Sequence, residues 1–148
     1  MNEIILDRAL GFNINRVANL FRRELIRCFC DYNLSPEQWQ VLSTLWRKGS
    51  LTQVEIITIT QQDAPTISRM IQRMEKNGWV KKTPSKSDSR ATIIKVTASG
   101  KRLKEELITK LVNHFKKFLA NYPAEKQDQL LKLLIDLRVA LGDEIRDR

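Results

Sequence analysis

The stretch DAPTISRMIQRMEKNGWV, residues 63–80, constrains the fold most, because it specifies a helix with a marked start, a marked stop and two unlike faces. Pro65 suits a first helical turn, where its missing N–H is an unpaired donor in any case. Gly78 suits the stop, since glycine takes the left-handed conformation just past a last turn. Ile67, Ile71 and Met74 recur at steps of four and three and share a face predicted to be buried, with Met70 at its flank. The other face carries Thr66, Arg69, Gln72, Arg73 and Lys76, diluted only by Glu75. Taken alone, this helix fits a solvated surface as well as a binding one.

Its neighbours narrow the choice. In LSPEQWQVLSTLWRKGS, Ser35 caps, Pro36 occupies the first turn and Gln38 completes a Ser-x-x-Gln capping box; Arg47, Lys48 and Gly49 mark the end. LTQVEIITIT is rich in β-branched residues, which favour a strand, but Thr52-x-x-Glu55 is a second capping box, and helix is the reading adopted. After the 65–77 helix, WVKKT and ATIIKVT flank the polar turn PSKSDSR. Thr92, Ile94 and Val96 alternate with Ile93, Lys95 and Thr97, which predicts a two-stranded hairpin with one face toward the core. Three helices followed by a hairpin with a basic tip is the order of a winged helix-turn-helix.

The charge is placed to match. The chain of 148 residues has a net charge of +9, and residues 35–102 hold 12 Lys and Arg against 5 Asp and Glu, a balance of +7, whereas the rest hold 14 against 12, or +2. Ordinary solubility charge is spread more evenly, and a concentrated basic segment fits a regular anionic partner, of which nucleic acid is the foremost. No apolar run approaches the roughly 18 residues of a membrane span, and MNEIILDRAL lacks the order of a signal peptide, so a cytoplasmic protein without membrane contact is expected. Cys28 and Cys30 diverge by roughly 200° on a helix, which is poor for a disulfide, and zinc wants about four ligands where the chain has one distant His114. Two reduced thiols, one of them buried, are expected, with no metal and no cofactor.

Outside the basic segment, residues 7–32 read as one long helix with a stripe of Leu10, Ile14, Val17, Phe21 and Leu25. Two closing helices, roughly 98–121 and 124–146, are separated by Tyr122-Pro123, and the last carries Leu130, Leu134, Leu137, Leu141 and Ile145, widened by Leu131 and Leu133. Stripes this long need another surface to cover them, and a helical dimer interface is favoured over intramolecular packing. The fold class is therefore mainly α with a small β-hairpin wing. Residues 1–34 form an N-terminal dimerisation helix, 35–98 a winged helix-turn-helix and 99–148 C-terminal dimerisation helices of one integrated fold.

In this arrangement the helix over 65–77 enters the major groove, which at about 12 Å admits one helix. Arg69 is the candidate for a bidentate pair with guanine O6 and N7. Thr66 and Ser68 lie near the helix start to meet phosphate or a base edge, Gln72 suits adenine, and Arg73 and Lys76 suit phosphate. The wing, residues 81–97, supplies Lys86, Asp88 and Arg90. Its cations suit the adjacent minor groove, and Asp88 is read as orienting Arg90 or Arg73.

The segment 51–103 resembles the MarR family of bacterial transcriptional regulators. Thr66, Ser68, Arg69, Glu75 and Gly78 stand as T-x-S-R-x-x-x-x-x-E-x-x-G, and Asp88, Arg90, Thr97 and Gly100 as D-x-R-x-x-x-x-x-x-T-x-x-G. The resemblance extends over most of the chain. It implies a homodimer whose two winged domains read an inverted-repeat operator in double-stranded DNA, repressing transcription until a small aromatic or lipophilic effector binds between the dimerisation and DNA-binding parts. Phe12, Arg16, Trp39 and Trp46 are the candidate pocket residues, although Trp39 and Trp46 at helical spacing suit a core better than a pocket. The family's usual small alanine and turn glycine are replaced by Ile57 and Gln61, which alters packing at the helix-turn-helix.

Two other functions compete. A winged-helix protein-interaction module without DNA binding predicts no salt-dependent affinity for any duplex. An enzyme finds little support: there is one histidine, no glycine-rich phosphate loop, no nucleophile motif and no metal-ligand cluster.

Overall fold

The computed structural model describes residues 5–143. Six α-helices and three strands follow in the order α1 (Leu10–Cys28), α2 (Pro36–Lys48), β1 (Ser50–Thr52), α3 (Gln53–Thr60), α4 (Ala64–Lys76), β2 (Val80–Pro84), β3 (Thr92–Val96), α5 (Ala98–Phe118) and α6 (Ala124–Ala140).

Both capping boxes form. Ser35 Oγ accepts from the Gln38 N–H while the Gln38 side chain accepts from the Ser35 N–H, and Thr52 and Glu55 reciprocate in the same way at the start of α3. Gly49 ends α2 at φ +82°. The helix reading of residues 53–60 holds, but Ser50–Thr52 is a strand that the sequence reading folded into the helical segment. The wing is thus a three-stranded antiparallel sheet in the order β1-β3-β2, not a two-stranded hairpin, with Leu51 opposite Ile94 and Val80 opposite Val96. Those four side chains are buried and close the core from the sheet side.

The core lies between the sheet and helices α2, α3 and α4, with Leu42, Leu45, Ile56, Ile67, Ile71 and Met74 fully buried. Phe29 plugs its far end, its ring tilted 36° against Trp39 with centroids 4.9 Å apart.

The single helix expected over 7–32 is interrupted. Short 3-10 turns span Leu6–Arg8 and Cys30–Tyr32, and Asn33 at φ +50° turns the chain into α2. The interruption turns Phe29 inward, and the two thiols part as expected, Cys28 buried and Cys30 exposed. Polar contacts bind this corner to its neighbours: Arg22 pairs with Glu37 at 2.6 Å, His114 with Glu24 at 2.9 Å, Lys110 with Asp31 at 2.6 Å, and the Tyr32 hydroxyl donates to Glu106.

Phe21 packs on Phe115 and Phe118 of α5, and Leu25 on the core. Beyond these contacts the outer stripes stay largely uncovered: Leu10, Ile14 and Val17 of α1 and Leu130, Leu131, Leu133 and Leu134 of α6 are exposed, as is Leu141 just past its end. Ile145 lies outside the described residues.

Candidate nucleic-acid interface

Asp63 starts α4. Its carboxylate accepts from the Thr66 backbone N–H at 2.8 Å and from the Thr66 hydroxyl at 2.9 Å, and these two bonds, with the charge of Arg69 nearby, hold its pKa below the ordinary value. This N-cap fixes the helix one residue earlier than Pro65 alone implies, and Pro65 falls in the first turn. A carboxylate seated on the helix start occupies the place where an anion would bind, so the first turn of α4 does not offer its N–H groups to phosphate. Thr66 therefore serves the cap, and only its oxygen remains free to accept.

One turn on, the helix presents its polar face as expected. Ile67, Met70, Ile71 and Met74 are buried, and Arg69, Gln72, Arg73 and Lys76 are exposed and together border one open hollow. Three cations and one amide on two adjacent turns can meet an acceptor-rich surface. Ser68 does not join them: its Oγ accepts a 2.8 Å hydrogen bond from Gln53 Nε2, clipping α4 to α3. Gln53 went unsingled in the sequence reading, because nothing local marks a side-chain bond between two helices.

Glu75 anchors the wing to α4. Its carboxylate accepts from the Lys82 backbone N–H at 3.3 Å and lies 4.0 Å from Lys82 Nζ. At the other end Thr97 caps α5 by accepting from the Gly100 N–H, and its hydroxyl donates to the Gly78 carbonyl. The three-residue spacing of Thr97 and Gly100 in the sequence is thus a joint that seats the hairpin on α5.

At the wing tip Lys86, Asp88 and Arg90 are all exposed. Asp88 acts differently from the reading above. Among the described residues its carboxylate pairs with neither the Arg90 nor the Arg73 guanidinium; it accepts the backbone N–H of Arg90 at 2.9 Å, an Asx-type turn that sets the course of the loop. The Arg90 side chain is left to project on its own.

The four pocket candidates fall into two pairs. Phe12 and Arg16 stack on the exposed face of α1, the guanidinium 5.6 Å from the ring centroid. Trp39 and Trp46 meet edge to face at 5.6 Å, and Trp46 Nε1 donates to the Gly100 carbonyl at 3.0 Å, which makes them structural members of the core wall. A cleft of about 610 Å³ opens instead where the end of α1, the start of α2 and the end of α4 meet, bordered by Arg22, Ile26, Phe29, Cys30, Arg73 and Lys76.

Among the described residues no group of three His, Cys, Asp or Glu could hold a metal ion, and no helix is long and apolar enough to cross a membrane.

Comparison with known proteins agrees with this geometry. The model of the MarR family matches residues 34–92, which run from the start of α2 into the wing. The HTH-type transcriptional regulator YwoH of Bacillus subtilis is 30% identical over 123 residues, spanning 83% of this chain and 89% of that protein. The chain belongs to the MarR family. PecS, an HTH-type transcriptional regulator of Dickeya dadantii, is 27% identical over 124 residues, 82% of this chain and 75% of its own. The fold matches that of a mutant MarR from E. coli complexed with operator DNA at a TM-score of 0.78, with 24% identity over 86% of this chain and 92% of the other. MarR proteins are transcriptional regulators, and the family is not one of enzymes.

Proposed function

We propose that this MarR-family chain is a cytoplasmic, homodimeric repressor that reads an inverted-repeat operator and releases it when a small aromatic or lipophilic effector binds. The observation that carries the reading is the α4 surface: Arg69, Gln72, Arg73 and Lys76 stand exposed together while Ile67, Met70, Ile71 and Met74 are buried beneath them. Arg69 reads a base edge, Gln72 suits adenine, and Arg73 and Lys76 hold phosphate. Lys86 and Arg90 at the wing tip lie at the adjacent minor groove, with Asp88 shaping the loop that carries them.

The uncovered leucines of α6 and the apolar stripe of α1 support assembly of two copies through residues 1–34 and 99–148, leaving residues 35–98 as the reading unit. The cleft between α1, α2 and α4 supports an effector with an apolar body, since Ile26 and Phe29 line it. Phe12, Arg16, Trp39 and Trp46 are retained as flanking positions, Trp39 lying against Phe29.

The test is selection of purified protein on a pool of random duplexes at two salt concentrations, followed by sequencing of what is retained. An enriched inverted repeat with half-sites about one helical turn apart is the expected outcome. Retention without enrichment reduces the reading to non-specific DNA binding, and no retention at either salt replaces it with a protein-interaction module.

A further inference from the structure

Two hollows meet at the end of α4 and share a wall. The open hollow on the reading face is bordered by Arg69, Gln72, Arg73 and Lys76, and the cleft of about 610 Å³ between α1, α2 and α4 is bordered by Arg73 and Lys76 again. These two cations are neighbours on the helix surface and stand on the ridge between the face that meets phosphate and the cleft. An oxyanion held on the cleft side draws their charged ends away from a phosphate on the other side.

The charge of the cleft is one-sided. Arg22 also borders it, but its guanidinium is answered by Glu37 at 2.6 Å. Among the described residues no carboxylate borders the cleft, and none pairs with Arg73 or Lys76. Ile26 and Phe29 supply the apolar part of its wall. A cavity of this size suits a small organic molecule, and unanswered cations at its rim favour one that carries an oxyanion over a neutral one.

We propose that the cleft takes a small organic oxyanion, a carboxylate or phosphate on an apolar body, and that this ligand weakens operator binding by drawing Arg73 and Lys76 off the DNA phosphates. This rests on the DNA-binding reading above and deepens it, fixing the charge of the effector and the residues through which it acts. The apolar body lies on Ile26 and Phe29, and the oxyanion is held by the Lys76 ammonium and, in a two-pronged pair, by the Arg73 guanidinium. Arg69 borders the reading face but not the cleft. The ligand-bound protein therefore keeps its base preference and loses only backbone affinity. No shift of one winged unit relative to its partner is needed.

The experiment uses the full-length protein, the duplex recovered by selection and three probes on one ring system: naphthoate, naphthyl phosphate and the neutral naphthalenemethanol. Operator affinity is measured against salt, at matched ionic strength, for the native protein and for Arg73→Gln/Lys76→Gln, and the melting temperature of each is measured without DNA. At least one of the two anions raises the melting temperature of the native protein. The same anion lowers its operator affinity to a floor equal to that of the Gln variant, the log–log slope falling by about 0.9 for each phosphate contact given up. The alcohol does neither, and the Gln variant responds to no probe. Equal action by the alcohol, failure of both anions, a Gln variant that still loses affinity to an anion, or a native affinity driven below that of the variant each overturns the proposal and leaves the operator reading intact. Failure of the native protein to bind the duplex without any probe instead defeats the DNA-binding reading itself, and the competition with it.

Discussion

Trp79 and Gly100 approach so closely that a Cβ on residue 100 would lie 2.2 Å from the Trp79 carbonyl oxygen and 2.7 Å from Val96 Cγ2. Neither obstacle can swing away, since one is backbone and the other a short branched side chain in the sheet. The same glycine accepts the Trp46 indole N–H through its carbonyl and donates its own N–H to Thr97. Gly100→Ala is therefore expected to destabilise the fold by roughly 1–3 kcal/mol, as overpacking does. Urea denaturation followed by tryptophan fluorescence reads it; a midpoint equal to that of the native protein would mean that α5 shifts freely against the sheet.

Of the polar residues on α4, Arg69 and Ser68 are expected to part company. Arg69→Ala should lose about 1–3 kcal/mol of operator affinity and relax base preference at one position of each half-site. Ser68→Ala should leave base preference untouched, because its oxygen is engaged by Gln53, and instead lower stability by about 0.5–1.5 kcal/mol. A Ser68→Ala protein with altered base preference and native stability would return Ser68 to the DNA contacts.

These two residues also show how far the sequence can be read. The bounded helices were legible because their caps are local: Ser35 with Gln38 and Thr52 with Glu55 are each three residues apart, and both boxes form. The face of α4 was legible for the same reason, since a 3.6-residue period places Arg69, Gln72, Arg73 and Lys76 opposite Ile67, Ile71 and Met74. Strand β1 was not, because three residues show no alternation and its partner β3 lies more than 40 residues on. The bond from Gln53 to Ser68 was not legible, because Ser68 sits where the polar and apolar faces of α4 meet and only the position of α3 brings Gln53 to it. The break after Cys28 had no glycine or proline to announce it. Asp88 was understood as an orienting residue, but the chain folds it onto a backbone N–H two residues away and not onto a guanidinium.

Gln61 offers a third test. It ends α3 in the left-handed conformation at φ +55°, where an L side chain costs about 1–2 kcal/mol and glycine costs none of that strain. Part of the gain from Gln61→Gly is offset by the greater chain entropy that glycine loses on folding. The variant is expected to be more stable by up to about 1 kcal/mol, with DNA affinity unchanged. A lower denaturation midpoint would show that the Gln61 side chain itself holds the turn. The replacement of the family's usual glycine thus leaves the turn geometry in place, and Ile57, whose carbonyl accepts the Gln61 N–H at 2.9 Å, packs against the core.

The dimer should be separable from the fold. Leu131 and Leu133 project from α6 at 57% and 67% exposure, so charged replacements there meet no core residue of the same chain. Leu131→Glu/Leu133→Glu is expected to shift the protein from dimer to monomer in sedimentation while its circular dichroism stays mainly helical. Operator affinity should then fall steeply, because two linked half-site contacts become independent ones. A variant that remains dimeric would place the interface elsewhere on the outer helices.

Part of the acid sensitivity should arise at the start of the reading helix. The Asp63 carboxylate is held below its ordinary 3.8 by the hydrogen bonds from Thr66, so it favours the folded state when ionised. A depressed folded pKa contributes stability that is fully present above 3.8 and is lost as pH falls through the lower folded value. Glu24, Asp31 and Glu37 are depressed in the same direction by His114, Lys110 and Arg22, and they add to the loss in the same acidic range. Asp63→Asn keeps a capping oxygen that does not titrate. Its unfolding free energy should therefore decline less steeply than that of the native protein below about pH 4, with the two curves parallel above pH 5. Parallel curves throughout the acid range would mean that the Asp63 carboxylate titrates alike in the folded and the unfolded chain. The bonds from Thr66 would then contribute nothing that depends on its charge.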